Sequence, residues 1–125
     1  MRRFEGRVAL VSGAASGIGA AVADRLEQEG ATVVRSDLVE TDGGPVCDVS
    51  DQRSCALAVD AVLSAHGALH VLANVAGIGF SRRFGEVTPE EWRRVIDVNL
   101  TGTFLLSQAA LPPLLEARGV IVNMA

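Results

Sequence analysis

Two hydrophobic rhythms alternate along the chain. Residues 7–12, RVALVS, form a short apolar run rich in β-branched side chains, which predicts a strand buried on both faces. From Ile18 the spacing lengthens to Ile18, Val22 and Leu26, one face of a helix that Gly30 stops. ATVVRSD then predicts a second strand, and the turn residues ETDGG lead into PVCDV, a weak third. Ser50 and Asp51 open another helix, whose stripe runs Cys55, Val59, Val62, Leu63 and which ends at Gly67. LHVLANVAG predicts a fourth strand, and the terminal VIVNMA a fifth. Between them lies the longest helix, started by TPEE: Thr88 is the N-cap, Pro89 takes the first position and Glu91 closes a capping box. Pro112 and Pro113 are expected to end or kink it.

Strands that alternate with helices and are apolar throughout predict an α/β fold with a parallel sheet covered on both faces. Right-handed crossovers in the doubly wound, Rossmann-type arrangement give the strand order 3-2-1-4-5. Only about ten residues separate Asp37 from Asp48, too few for a crossover helix and its turns, so strands 2 and 3 are expected to be joined by coil.

Composition narrows the function classes. Hydrophobic residues make up 49% of 125, yet no run approaches the roughly 18 residues of a membrane span. The start MRRFEGRVAL lacks a signal-peptide cleavage site, so a cytoplasmic location is expected, with no membrane partner. Eleven basic residues against fifteen acidic ones form no stripe, which argues against nucleic acid. Cys47 and Cys55 have no Cys or His at ligand spacing; no metal site is expected, and the pair reads as buried thiols in a reducing compartment.

The residues after the first strand point to chemistry. SGAASGIG places Gly13, Gly17 and Gly19 between a strand and a helix, where one glycine turns sharply, one lets backbone approach a phosphate and one lets helix and strand pack. The helix start adds free N–H groups and the positive end of its dipole. No Gly-Lys-Ser/Thr follows, which disfavours a nucleoside-triphosphate loop. Eighteen positions after Gly19, Asp37 closes the second strand. A carboxylate there can accept both ribose hydroxyls of an adenosine and repels a 2′-phosphate; the competing reading is a plain turn residue. Leu38 follows it and Ser16 stands in the loop, so no cation is offered to a 2′-phosphate, although Arg35 shares a strand face with Asp37 and could pair with it. NAD is favoured over NADP.

Six segments in register, SGAASGIG at 12–19, SD at 36–37, CDV at 47–49, NVAG at 74–77, DVNL at 97–100 and GVIVN at 119–123, resemble the motif series of the short-chain dehydrogenase/reductase family. The likeness is to the branch that includes acyl-carrier-protein ketoreductases and hydroxysteroid dehydrogenases. It implies an NAD-dependent oxidoreductase moving hydride between nicotinamide and an alcohol or carbonyl substrate. By that resemblance Gly13, Ser16, Gly17, Ile18 and Gly19 form the pyrophosphate loop. Asp48 accepts from the adenine amino group beside the Val49 backbone; its alternative role is to cap the helix that Ser50 and Asp51 already serve. Asn74 and Gly77 line the middle of the cofactor, with Val75 where the family has a second Asn, and Ser12 replaces the usual Thr. Asn99 lies on a helix stripe with Trp92, Val95, Ile96 and Thr103, which points its amide inward. A satisfied core amide would explain it; the resemblance instead assigns it a catalytic role, holding a proton-relaying water. The helix over 88–111 is apolar nearly all round and is implied to carry a homo-oligomer contact. Arg82 and Arg83 read as solvated loop charges rather than a substrate lure.

In the resembling family the strand matching GVIVNMA is followed by a catalytic serine and then Tyr-x-x-x-Lys, whereas these 125 residues contain no tyrosine. His66 and His70 sit at the wrong strand end to replace that acid. The expectation is a single Rossmann domain over 1–125, truncated at its C-terminus, with an apolar fifth strand at a sheet edge, association-prone and inactive alone. A non-catalytic dinucleotide-binding or interaction fragment is the alternative.

Overall fold

A computed structural model describes residues Met1–Ala125. Four strands, β1 (Val8–Ser12), β2 (Thr32–Ser36), β3 (Val71–Asn74) and β4 (Val120–Asn123), form one parallel sheet in the order β2-β1-β3-β4. The segment expected as a third strand contributes only a single parallel bridge, Asp37 to Val46, outside β2. Its place matches the expected order. It stays a bridge because residues 38–45 are a helix-free connection and no further strand lies beyond it. Thr41 Oγ1 donates to the Arg35 carbonyl at 2.7 Å, which folds that connection back on β2.

Helices cover both faces. α1 (Gly17–Gln28) packs through Ala23 over Val11, Ala14 and Ala73, a thin core of small side chains. On the other face, α2 (Gln52–His66) and α4 (Gly102–Ala117) enclose Leu10, Cys55, Val59, Val62, Leu69, Leu72, Leu106, Ala110 and Leu114. The alternation of Leu10 and Val11 between these cores is the two-residue period of a strand covered on both sides.

The long helix departs from expectation in two ways. α3 (Pro89–Ile96) begins with the expected Thr88–Glu91 capping box, but a π-helical turn over Asp97–Thr101 separates it from α4. Pro112 and Pro113 do not end α4, which continues to Ala117 and closes on Arg118 in the left-handed conformation, φ 52°. Burial of Leu106, Ala110 and Leu114 at four-residue intervals carries the helix past two prolines that each remove one backbone donor. Phe104 on its other side is 58% exposed, and Leu100 in the preceding π-helical turn is 64% exposed. Val120 and Val122 of β4 are exposed as well.

At the C-terminal end of α1, Glu29 is 4% exposed and takes ion pairs from Arg3 and, at 2.6 Å, from Arg25. The Arg3 hydrogen bond, then that of Arg25, hold its carboxyl down to about 2 against burial, which raises it. The folded value lies below the unfolded one, so this contribution is complete above the ordinary carboxylate value and is lost as pH falls from there towards 2. Glu29→Gln is therefore expected to lower stability at neutral pH and to flatten the fall in urea midpoint between about pH 5 and 3. An unchanged acid slope in the variant would show that the pairing contributes nothing.

Candidate functional site

The carboxyl ends of β1, β2 and β3 open into a cleft of about 380 Å³, within the range of small-molecule sites. It lies at the switch point of the sheet, where the chain leaves β1 towards β2 on one side and β3 on the other.

Its floor is the glycine loop. Gly13 turns the chain out of β1 with φ +66°, and a Cβ there would stand 2.8 Å from Ala76 Cα, so the loops after β1 and β3 touch through the missing side chain. Gly17 begins α1 with φ +58° and open space around it. A Cβ on Gly19 would overlap the Gly13 carbonyl oxygen. These three positions thus supply the turn, the open approach and the close helix packing expected of them. Ser16 occupies the N-cap of α1, its side chain caps nothing, and it lines the cleft with Ile18 and Gly19. The first N–H groups of the helix consequently have no side-chain acceptor, at the point where Ser16, Ile18 and Gly19 line the cleft.

Asp37 stands at one end of this floor. Its Oδ2 accepts from the Ala15 N–H at 3.0 Å and its Oδ1 from that of Leu38 at 2.7 Å, which ties the glycine loop to the end of β2. Arg35 does not pair with it. The Arg35 guanidinium turns onto α1, donating to Asp24 at 2.6 Å and Glu27 at 2.9 Å, and those two carboxylates raise its pKa. Asp48 and Val49 also line the cleft. Asp48 Oδ1 accepts from the Ser50 N–H and hydroxyl, while Asp51 caps α2 by accepting from the Arg53 N–H at 3.0 Å. The helix is therefore capped without Asp48, whose second carboxylate oxygen has no protein partner. Val49 is held from behind, since a Cβ on Gly102 would lie 2.6 Å from its Cγ2. The glycine at the start of α4 was not singled out in the sequence; its signal was the small-residue pattern Thr101-Gly102-Thr103.

Across β1, the loop after β3 forms the other wall with Val75, Ala76, Gly77 and Ile78. Ser12 fixes it: its Oγ accepts from the N–H groups of Val75 and Ala76, both at 3.0 Å, and approaches the Ala73 carbonyl at 3.4 Å. Asn74 is not among the lining residues. At 5% exposure its amide donates to Ser107 at 3.0 Å and Asn123 at 2.9 Å, joining β3 to α4 and β4. Asn99 is not buried with its predicted stripe. The π-helical turn lets its amide close a two-way bond with Ile78, Oδ1 accepting from the N–H at 2.8 Å and Nδ2 donating to the carbonyl at 2.7 Å. Trp92 is exposed and stacks on Phe80, centroids 6.1 Å apart, because no sheet or helix covers that side of α3. Gly77 lies against Asn99, where a Cβ would come within 3.3 Å of Oδ1.

Arg94 is the single basic residue lining the cleft, on the Ile78 side and away from Asp37. Arg82 pairs with Glu91 at 2.6 Å. His70 accepts from the Val8 N–H at the start of β1, the end of the sheet opposite the cleft. The arrangement offers free amides and a helix dipole to a diphosphate in the middle, with carboxylates and no cation on the β2 side.

Residues 7–125 match the family described as short chain dehydrogenase. Among curated proteins, a D-threitol dehydrogenase of Mycolicibacterium smegmatis is 40% identical, the match covering 98% of this chain and 54% of that protein. A 3-alpha-(or 20-beta)-hydroxysteroid dehydrogenase of Mycobacterium tuberculosis is also 40% identical, with 98% and 52% covered. The structure of a 3-ketoacyl-(acyl-carrier-protein) reductase from Brucella melitensis complexed with NADH superposes with a TM-score of 0.91 at 34% identity, over 98% of this chain and 58% of that one. The chain spans about half the length of the relatives it matches.

Proposed function

The chain belongs to the short-chain dehydrogenase family, and from that premise we propose that it holds the adenosine and pyrophosphate of NAD(H) as the cofactor-binding portion of an oxidoreductase acting on an alcohol or ketone. The observation that carries this reading is the pairing of an uncapped helix start with Asp37 in one cleft, no basic side chain lying at the Asp37 end. Gly13, Ser16, Gly17, Ile18 and Gly19 receive the pyrophosphate, Asp37 the adenosine ribose, and Asp48 with Val49 the adenine. The B. melitensis reductase, which is a complex with NADH, supports a nicotinamide dinucleotide as the ligand. A negative Asp37 would repel the 2′-phosphate of NADP, and Arg35 is occupied on α1.

When bound, the nicotinamide supplies a hydride acceptor or donor. This chain's residues orient it: Gly77 and Ile78, clamped by Asn99, form the wall on the far side of β1 from Asp37. Asn74 serves the cleft indirectly, by fixing the end of β3. Residues 1–125 contain no tyrosine to act as proton donor, so on this reading they bind without turnover. The exposed apolar side of the 88–111 helix is the surface for self-association, and a cytoplasmic location suits the cofactor.

The test is titration of the chain with NADH and NADPH, followed through Trp92 fluorescence. NADH is expected to bind more tightly, and Asp37→Ala to weaken NADH by about tenfold or more while narrowing the preference, since charged hydrogen bonds contribute roughly 1.5–3 kcal/mol. Tighter binding of NADPH, or an indifferent Asp37→Ala, would refute the ribose assignment. Carbonyl reduction by the purified chain would refute the claim of binding without turnover.

A further inference from the structure

Cys47 is 3% exposed yet lines the cleft, one residue before Asp48. Cys55, fully buried on the first turns of α2, belongs to the same core and reaches over the segment between them, its thiol donating to the Val49 carbonyl at 3.3 Å. The backbone at Cys47 is pinned on the other side, its N–H donating to the Asp37 carbonyl at 2.8 Å. Ser36 Oγ, at the end of β2, is buried and has no hydrogen-bond partner. Two thiols thus share the core behind the wall that carries Asp37, Asp48 and Val49.

We propose that Cys47 is a covalent modification site, oxidised from the cleft by a small peroxide and then joined to Cys55, and that the resulting disulfide weakens dinucleotide binding. The second half rests on the cofactor reading above; the first does not. The neighbouring Cys55 thiol holds the Cys47 thiol below its ordinary value, against burial, which raises it. Cys47 lines the cleft and the fully buried Cys55 does not, so a peroxide entering the cleft meets Cys47 first. In the first step the Cys47 thiolate attacks a peroxide oxygen, the O–O bond breaks and hydroxide leaves, giving a sulfenic acid. In the second the Cys55 thiol attacks that sulfur and loses its proton. The S–O bond breaks, an S–S bond forms, and the departing hydroxide takes the proton as water. Two thiols lose two electrons in all, and one hydrogen peroxide becomes two waters. Drawing the sulfurs to bonding distance removes the Cys55 bond to Val49 and pulls the Cys47–Val49 wall towards α2.

The experiment treats the folded chain with hydrogen peroxide and reads intact mass and NADH affinity, before and after dithiothreitol. Wild type is expected to lose about 2 Da, reversibly, and Cys55→Ala to gain about 16 Da in a form trapped by dimedone. Cys47→Ala is expected to show neither product. Oxidised wild type is expected to bind NADH several-fold more weakly than reduced, and saturating NADH to slow the oxidation. Oxidation of the urea-unfolded but not the folded chain would overturn the proposal, as would addition of oxygen to Cys55 in Cys47→Ala at the wild-type rate. A disulfide that leaves NADH affinity unchanged would overturn its second half. Disulfide formation in a chain that never binds NADH would uphold the modification site and reject the cofactor reading instead.

Discussion

Gly19→Ala is expected to abolish measurable NADH binding and to destabilise the chain by about 1–3 kcal/mol or more, the range for forcing a methyl into a closed site. The new Cβ would collide with the Gly13 carbonyl oxygen, which is backbone and cannot swing aside as a side chain could. Relief requires α1 to lift from the glycine loop, which carries its first amides away from the position of the pyrophosphate. Gly85→Ala is the control, since that glycine has ordinary φ and no neighbour within 4 Å of its added Cβ. It should leave both the urea midpoint and the titration curve unchanged. A Gly19→Ala chain that binds NADH like wild type would mean that α1 and the loop are not packed as described.

Ser12→Ala is expected to have the second largest effect. One hydroxyl there satisfies two half-buried amides, those of Val75 and Ala76, and an amide left without an acceptor costs up to about 1–3 kcal/mol. The whole stability of a domain this size is about 5–15 kcal/mol, so loss of one small side chain consumes a substantial share. The effect should appear as a lower urea midpoint with an unchanged slope, and as weaker NADH binding because Ala76 and Gly77 form a cleft wall. If the midpoint holds, water from the cleft has replaced the hydroxyl and the clamp is dispensable.

Much of this was legible in the chain. The switch from two-residue to helical spacing at Ile18, the Thr88–Glu91 box and the apolar stripe of α2 each reflect local chemistry, and the helices begin where those residues require. Asn99 shows the other side. A regular 3.6-residue period puts it inward with Trp92, yet the π-helical turn over Asp97–Thr101 resets the period and presents the amide to Ile78. Pro112 and Pro113 read as ending or kinking the helix; it does not end there, because burial of Leu114 outweighed them. Ser12 was noted only for keeping a hydroxyl, because its partners lie more than sixty residues away.

By itself the sequence determined the alternation of strands and helices and the three glycine positions, since propensity, capping and steric freedom act within a few residues, and the handedness of the crossovers then set the strand order. Tertiary structure alone decided what the polar side chains do. It turned Arg35 onto α1, spent Asn74 on Ser107 and Asn123, and brought Cys47 and Cys55 behind one wall, because a buried donor or acceptor takes whichever partner the packed elements bring within 3 Å or so.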